Sequence, residues 1–416
     1  MLRIRNTYFV LIGTATYAFC QWLALLIVAR SLGAVEVGQF GLALAVTAPL
    51  FMLFSLRLRY LYGADLASRF QPTDYIRVRI GSSGLATVLA IGIGIALFDS
   101  ASWPLVLIAV AVFKFVESVS DVLLGVHHLT DRWDRVMHSQ NAAGVAYAGA
   151  FAIGVFFFDS LVAACVLMVV FRCLTLLIDS RMFGRSRALQ RSETTNSGAR
   201  QSSVWSLAIA AAPLSIAGFF DSISTSMPRL AAARWCTAED LGIFVAINYV
   251  GVAVVLAMNS IYYSRITAFA SLYAAGSWRR LSLAVARLAG VSFFVAAAAV
   301  FMAVLIGDKA IGLVYGQGFV SGHRLLCWTL AGAGVTCVSL VGVVLLTAVG
   351  RYRAIGLVYL GYTIILSFAL YVGGQSGDIE SIAIAAFIAG FFQMLIVSVL
   401  VFRTLRWATP QVAGVV

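Results

Sequence analysis

Three charged residues lie close together in an otherwise apolar segment, Lys114, Glu117 and Asp121 in KFVESVSD. Successive residues of an α-helix are turned by about 100°, so Glu117 lies roughly 60° from Lys114 and Asp121 lies between the two. All three side chains therefore project from one face of the predicted helix. Charged side chains at membrane depth are costly and do not face lipid, so this face is a candidate functional surface.

Two interpretations of Lys114 follow from its position. It lies about eleven residues into a predicted membrane span, hence roughly 16 Å deep and near the middle of the bilayer. In the first interpretation, Lys114 and Glu117 are one turn apart and neutralise each other, which fixes the helix against its neighbours. In the second, Lys114 faces a hydrated cavity and attracts an anion. The residues alone leave both open.

Two further charges, Arg172 in VVFRC and Asp221 in GFFDS, also lie deep in predicted spans. They fall in opposite halves of the chain, so an Arg172–Asp221 ion pair is one hypothesis. Asp221, which aromatic residues flank, is a candidate carrier of a proton or another cation, and Glu117 is a second candidate. The alternative for Asp221 is a structural hydrogen bond or ion pair.

The composition of the chain predicts that these residues are positioned by membrane-spanning helices. Of 416 residues, 62% are apolar and 11% are charged, and the mean hydropathy is +0.97. A helix of about 20 apolar residues crosses the hydrocarbon region, and its internal hydrogen bonds satisfy the backbone polar groups there. Twelve spans are predicted, at roughly 8–30, 39–58, 78–98, 103–125, 140–158, 160–181, 204–230, 241–264, 283–306, 325–349, 354–373 and 380–402.

An internal repeat predicts that the spans form two similar halves. Four residues recur 204 positions later in the same order, Arg30, Glu36, Gly38 and Phe40 as Arg234, Asp240, Gly242 and Phe244. We therefore predict an all-α polytopic membrane protein with about twelve transmembrane helices in two pseudo-symmetric six-helix lobes. The lobes are 1–182 and 204–416, and the polar segment 183–203 is a cytoplasmic linker.

The distribution of basic residues predicts the orientation. Most of the 29 Lys and Arg residues, Arg57 and Arg59 among them, fall in connections on one side if the N-terminus is inside. Inner loops carry this excess, so both termini are predicted to be cytoplasmic. The net charge of +12 then reflects topology, and it suits anionic membrane lipids as partners. Nucleic acid is not expected as a partner.

No cofactor or metal site is predicted. The six cysteines are scattered and include no CxxC motif, and no GxxxxGK[ST] motif for a nucleotide is present. Histidine and aspartate residues share one inner connection, but their spacing matches no metal site: His127, His128, Asp131, Asp134 and His138.

Four segments, in order, carry a resemblance to a known family. They are QWLALLIVARSLGAVEVGQFGLALAVTAPLFMLFSLRLR, KFVESVSDVLLGVHH, APLSIAGFFDSISTSMPRLAAARWCTAEDLGIFVAINYV and GLVYGQGFVSG. Together they resemble the Wzx-type flippases of the polysaccharide transport family. That family belongs to the MOP superfamily, which also holds MurJ-like lipid II flippases and MATE exporters. The resemblance covers nearly the whole chain.

The resemblance implies a function and a set of partners. Wzx-type proteins are not enzymes but transporters, and they move an undecaprenyl-pyrophosphate-type lipid-linked oligosaccharide across the bacterial inner membrane by alternating access. The product serves surface polysaccharide biosynthesis, as lipopolysaccharide O-antigen, capsule or exopolysaccharide. A polysaccharide polymerase and assembly proteins are candidate partners. The coupling ion, a proton or sodium, stays open.

The same resemblance assigns candidate roles to polar residues. A pyrophosphate needs cations, and planar recognition of phosphate favours arginine. The candidate cations are Lys114, Arg30, Arg172, Arg57 and Arg59. Candidate contacts to the sugars are Gln21, Asn248 and Asn259, and the carboxylates Glu117, Asp121 and Asp221 complete the set of cavity candidates.

The same resemblance disfavours lipid II as the substrate. MurJ-like relatives carry two further spans and cavity arginines near the first span, where this chain has Gln21.

Two other functions compete with that of a flippase. A MATE-like antiporter of small molecules would share the lobes but export cations, which a positive cavity disfavours. A polytopic polysaccharide polymerase or ligase needs an outer catalytic loop, whereas the longest outer loop here is 307–324.

Overall fold

The computed structural model describes residues 2–59, 72–97, 103–129, 132–184 and 204–406, and within these ranges the secondary structure is helical and contains no strand. The first half contains α1 (Leu2–Ser31), α2 (Ala34–Phe54), α3 (Pro72–Leu97), α4 (Trp103–Leu129), α5 (Trp133–Phe156) and α6 (Leu161–Gly184). The second half contains α7 (Val204–Trp235), α8 (Ala238–Tyr263), α9 (Ile266–Ala274), α10 (Trp278–Val314), a 3₁₀ helix (Gln317–Gly322), α11 (His323–Ala348), α12 (Tyr352–Gly374) and α13 (Ile379–Arg406).

Each of the twelve predicted spans coincides with one long helix, which confirms the predicted fold class. Several helices begin earlier or end later than predicted, because apolar windows mark the hydrocarbon segment and not the full helix. The short helix α9 was not predicted. In the described part of the chain, nine helical stretches are long and apolar enough to cross a membrane, and α4, α5 and α7 are not among them.

The chain divides into two compact units, Met1–Ser226 and Met227–Val416. Helix α7 begins in the first unit and ends in the second. The lobe limits predicted from the sequence stay a prediction, because nearly all of the predicted linker, 185–203, lies outside the described residues.

The internal repeat marks the same junction in both halves of the chain. Helix α1 ends at Ser31 and α2 begins at Ala34, and α7 ends and α8 begins exactly one repeat later, at Trp235 and Ala238. Arg30 and Arg234 lie in the last turns of α1 and α7. The repeated sequence therefore encodes one helix–turn–helix junction twice.

In the first unit, α4 packs against α2, α3, α5 and α6, and α1 packs mainly against α5. Glycine permits the close approach of α1 and α5, since a Cβ atom on Gly144 would lie 3.1 Å from the Cα atom of Tyr17. This close packing holds the backbone of Tyr17 at a position from which its side chain reaches α4.

In the second unit, α11 has the corresponding position and contacts α8, α9, α10, α12 and α13. The core here is apolar and gathers around Tyr262, which is fully buried. The Tyr262 hydroxyl shares a 2.7 Å hydrogen bond with the Ser292 hydroxyl. A buried phenol needs such a partner, so the unit closes its core with a neutral polar pair.

Candidate functional site

The charges of α4 lie in a polar group that draws on five helical segments of the first unit. We call this group the α4 charge cluster, and it consists of Tyr17, Arg59, Arg79, Lys114, Glu117, Asp121 and Arg172. The three α4 residues do share a face, and each of the two carboxylates meets at least one cation.

The first half of the cluster is centred on Glu117. The Lys114 ammonium lies 2.7 Å from Glu117 Oε2, so the ion pair predicted from the helical spacing forms. The Tyr17 hydroxyl donates to Glu117 Oε1, and the Gln21 side chain, one turn along α1, reaches the Tyr17 hydroxyl. The Lys114 and Glu117 side chains are 20% and 23% exposed, so the pair is neither sealed in the core nor on the open surface.

The second half of the cluster is centred on Asp121. Arg59 Nη1 donates to Asp121 Oδ1 at 2.9 Å, and Arg79 Nη2 lies 3.4 Å from Asp121 Oδ2. Arg79, from α3, is only 1% exposed, whereas Asp121 is 38% exposed. A buried guanidinium requires an anion, so Asp121 neutralises Arg79 and still faces outward on its other side.

Arg172 differs from the other cations because its hydrogen-bond partner is neutral. The residue is 7% exposed, and its Nη1 donates to the Thr175 hydroxyl one turn along α6 at 3.0 Å. Its Nε finds no acceptor within the described residues. Arg172 lies two turns before Asp179 on the face of α6 that packs against α4.

A strained turn after α2 delivers Arg57 and Arg59 to this region. Leu56 and Arg57 have φ values of 49° and 45°, in the left-handed region that non-glycine residues rarely occupy. Each such residue costs on the order of 1 kcal/mol. Two in succession end the helix abruptly, and strain of this kind concentrates at functional sites.

The strained turn also places Arg57 beside α7. The Arg57 guanidinium would lie 3.1 Å from a Cβ atom on Gly218, and it is the cation whose charge acts on Asp221. The hypothesised Arg172–Asp221 ion pair is not formed among the described residues, because Arg172 donates to Thr175 instead. Asp221 itself is exposed on α7.

The remaining candidates are distributed more widely. Arg30 lies in the last turn of α1, thirteen residues after Tyr17 and so roughly 20 Å along the same helix. Asn248 and Asn259 are half-buried on α8, in the second unit. Their roles as contacts to a sugar or a phosphate stay predictions.

Sequence reasoning missed Tyr17 and Arg79 as members of the cluster, and it missed Asp179 nearby. Arg79 falls at the very start of the predicted span 78–98 and was not a candidate, but the helix begins earlier, at Pro72, and carries Arg79 into the bundle. Asp179 accepts hydrogen bonds from the Ser120 hydroxyl and, at 2.6 Å, from the Ser139 hydroxyl. One signal was present, because Asp179 follows Arg172 by seven residues and lies on the same face of α6.

The histidine-bearing inner connection contains an ion pair. Arg132 binds both carboxylate oxygens of Asp134 at 3.0 Å, and these hydrogen bonds hold the pKa of Asp134 below its usual range. His128 and Asp131 are outside the side chains that the structure describes. Among those that it does describe, no three His, Cys, Asp or Glu residues form a group able to hold a metal ion.

The balance of charge decides what the cluster can attract. It holds four cations, Arg59, Arg79, Lys114 and Arg172, against the two carboxylates Glu117 and Asp121. Asp179, nearby on α6, adds a third carboxylate, because hydrogen bonds from two hydroxyls leave its charge in place. Asp221 lies near Arg57 and not near the cluster cations, so the four cations still exceed the carboxylates. A half-buried surface with an excess of guanidinium and ammonium groups is suited to a phosphate or another anion.

Comparisons with known proteins agree with this architecture. No family model matches the chain. The chain is 23% identical over 373 residues to the capsular polysaccharide biosynthesis protein CapF of Staphylococcus aureus, a match that covers 88% of this chain and 92% of CapF.

Solved structures give two further likenesses. An inward-facing multidrug resistance MATE family transporter of the MOP superfamily matches with a TM-score of 0.79 at 12% identity, over 95% of this chain and 96% of that one. The lipid II flippase MurJ, in an inward closed conformation, matches with a TM-score of 0.68 at 9% identity, over 94% and 87% of the two chains. The protein is therefore a multi-pass membrane protein with the fold of the MOP superfamily transporters.

Proposed function

We propose that the protein is a flippase for a polyprenyl-pyrophosphate-linked oligosaccharide. It would move this lipid from the inner to the outer leaflet of the bacterial inner membrane by alternating access, with both termini in the cytoplasm. The product would supply surface polysaccharide, as O-antigen, capsule or exopolysaccharide. The similarity to a capsular polysaccharide biosynthesis protein and the fold shared with a lipid II flippase support this proposal.

The observation that carries the proposal is the excess of cations in the α4 charge cluster. An anionic pyrophosphate needs charge-assisted hydrogen bonds when it leaves water, and Lys114 and Arg59 are partly exposed donors. Gln21 lies within the same region and is the candidate contact to the first sugar. In our account, Asp121 and Glu117 hold the cations in place while no substrate is bound.

The sign of the charge separates this function from that of a small-cation antiporter with the same fold. An exporter of organic cations needs carboxylates in excess where the substrate binds, because a cation repels Lys and Arg side chains. The α4 charge cluster has the opposite excess. A polymerase or ligase is disfavoured because the connection predicted at 307–324 is shorter in the structure: α10 extends to Val314, α11 begins at His323, and a 3₁₀ helix occupies most of the residues between them.

A deletion strain tests the proposal and separates the three functions. Loss of a flippase should cause lipid-linked oligosaccharide to accumulate and surface polysaccharide to be lost. The accumulated lipid should be accessible only on the cytoplasmic face of the membrane, which inside-out vesicles expose. Loss of a polymerase would instead leave single repeat units on the cell surface. Normal surface polysaccharide together with hypersensitivity to organic cations would contradict the proposal and indicate an antiporter.

A further inference from the structure

Glu117 forms an ion pair with one cation, and a second cation lies on the neighbouring helix. Its Oε2 is paired with Lys114 at 2.7 Å, and its Oε1 accepts from the Tyr17 hydroxyl. Arg172 is on α6, which packs against α4 and meets it at the Ser120–Asp179 hydrogen bond, two turns further along the same face, but Arg172 donates to Thr175. One carboxylate thus has a bound cation and a second cation in its neighbourhood.

The bond that holds Arg172 in place is easily exchanged. The acceptor, the Thr175 hydroxyl, is neutral, and it also donates to the Arg172 carbonyl oxygen at 2.9 Å within its own helix. The bond from Arg172 to this hydroxyl has one charged partner, whereas a bond from the guanidinium to a carboxylate joins two opposite charges and can be bidentate. Arg172 Nε has no acceptor among the described residues. A free carboxylate nearby would be a better partner than the hydroxyl.

Binding of an anion would create such a carboxylate. If Lys114 turns to a phosphate, its ion pair with Glu117 breaks, and a half-buried carboxylate is left beside the incoming negative charge. Removing one partner of a buried ion pair carries a large penalty, because the other charge then lacks compensation. The proposed function therefore needs a replacement for Lys114 at Glu117.

We propose that Arg172 is the second counter-ion of Glu117 and takes over its carboxylate when Lys114 turns to an anionic ligand. The exchange rests on the proposed function, because binding of the anionic substrate triggers it. No proton is transferred. Glu117 stays ionised, Tyr17 keeps its hydrogen bond to Oε1, and Thr175 keeps its bond to the Arg172 carbonyl. Two cations and one carboxylate thus serve two states of the site.

The shared counter-ion can be tested without any transport assay, by thermal unfolding of the purified protein in detergent. Lys114→Gln and Arg172→Gln should each lower the melting temperature slightly, since the other cation still serves Glu117. The double variant should lose on the order of 5 °C more than the sum of the two. Adding Glu117→Gln to the double variant should restore this excess loss.

The chain offers a matched control, because its other lysine, Lys309, lies exposed near the end of α10. Lys309→Gln combined with Arg172→Gln should give additive losses. Additive losses for Lys114→Gln with Arg172→Gln, or no restoration by Glu117→Gln, would overturn the inference and leave Arg172 as a packing residue of α6.

The exchange itself is tested with inorganic pyrophosphate as the probe, by isothermal titration of the purified protein. Arg172→Gln should weaken binding about tenfold, and Glu117→Gln in the same protein should recover it, because no carboxylate then needs a replacement partner. Unchanged affinity in Arg172→Gln would overturn the exchange. Coupled melting temperatures without any binding of pyrophosphate to the wild type would support the shared counter-ion and contradict the proposed substrate.

Discussion

The central helices of the two units are built on the same plan but differ in charge. In the first unit α4 contacts four other long helices, and in the second unit α11 contacts its neighbours in the same way. The middle of α4 carries Lys114, Glu117 and Asp121, whereas α11 contains no charged residue after Arg324. A duplicated fold has therefore kept its packing in both copies and placed the ionic chemistry in one.

The difference between α4 and α11 indicates how a bilayer protein divides its tasks. Charged groups in a bundle require partners from several segments, and α4 obtains them from α1, α3, α6 and the segment after α2. The α11 unit needs none of these partners, because apolar side chains and a neutral pair at Tyr262 fill its core. We infer that the second unit supplies a uniform scaffold and the first supplies recognition of the substrate.

The comparison is tested most strongly by removing the central charge. Lys114→Ala should reduce export of surface polysaccharide by about 30-fold to 150-fold, since a charge-assisted hydrogen bond contributes roughly 2–3 kcal/mol. Protein levels in the membrane should not change. Thr336→Ala, in the middle of α11, should retain export because its hydroxyl donates only within its own helix. Equal export by the two variants would remove the functional distinction between the helices.

A second test compares one carboxylate and its partner from each unit. Asp121→Asn leaves Arg79 buried without an anion and should lower the free energy of unfolding by on the order of 3 kcal/mol. The control is Asp308→Asn in the second unit, where the carboxylate is 59% exposed and lies 3.1 Å from His323. An exposed pair contributes at most about 1 kcal/mol. Unfolding by SDS measures both, and equal losses would show that the charges of α4 are structurally dispensable.

A third test replaces one glycine in each unit by alanine, which should change the free energy of unfolding in opposite directions. A Cβ atom on Gly144 would press on the backbone of Tyr17 at 3.1 Å, so Gly144→Ala should destabilise the protein by about 1–2 kcal/mol. Gly332 on α11 has no neighbour within 4 Å of its Cβ position. Gly332→Ala should therefore stabilise by up to about 1 kcal/mol through helix propensity. Thermal unfolding checks both signs, and a neutral Gly144→Ala would mean that α1 and α5 separate easily.

The smallest expected effect concerns the repeated junction. The N-cap residue of α8 is Thr237, whose side chain accepts from the Asp240 backbone N–H at 3.1 Å, whereas the N-cap residue of α2 is Gly33, which provides no side-chain cap. Thr237→Ala should therefore cost about 1 kcal/mol. Thr237→Ser keeps the oxygen and should cost little. If both variants lose the same stability by SDS unfolding, the cap does not distinguish the junctions.

The sequence was most informative where the physics is local. The shared face of α4 follows from the turn angle of a helix, and the Lys114–Glu117 pair forms one turn apart as that angle predicts. Most of the twelve long helices follow equally from apolar length, although α4, α5 and α7 are less apolar than the others. Both features depend on neighbours within a few residues, so a single chain suffices to predict them.

The partners from other helices were beyond such reasoning. Tyr17 meets Glu117 across 100 residues of sequence, and Arg79 meets Asp121 across 42. Their contacts depend on which helix lies beside α4 and how each is rotated, and no spacing rule encodes either. The position of Arg172 near Glu117 cannot be predicted from the sequence either, because it depends on how α6 packs against α4.

The central claim, that the α4 charge cluster recognises an anionic carrier, is tested most directly in proteoliposomes. The measurement compares translocation of one oligosaccharide attached to polyprenyl pyrophosphate with translocation of the same oligosaccharide attached to an uncharged polyprenyl ether. Accessibility to an added glycosidase reports the fraction moved. We expect rapid movement of the charged lipid alone, and Lys114→Ala should remove the difference. Equal translocation of the two lipids by the wild-type protein would contradict the account.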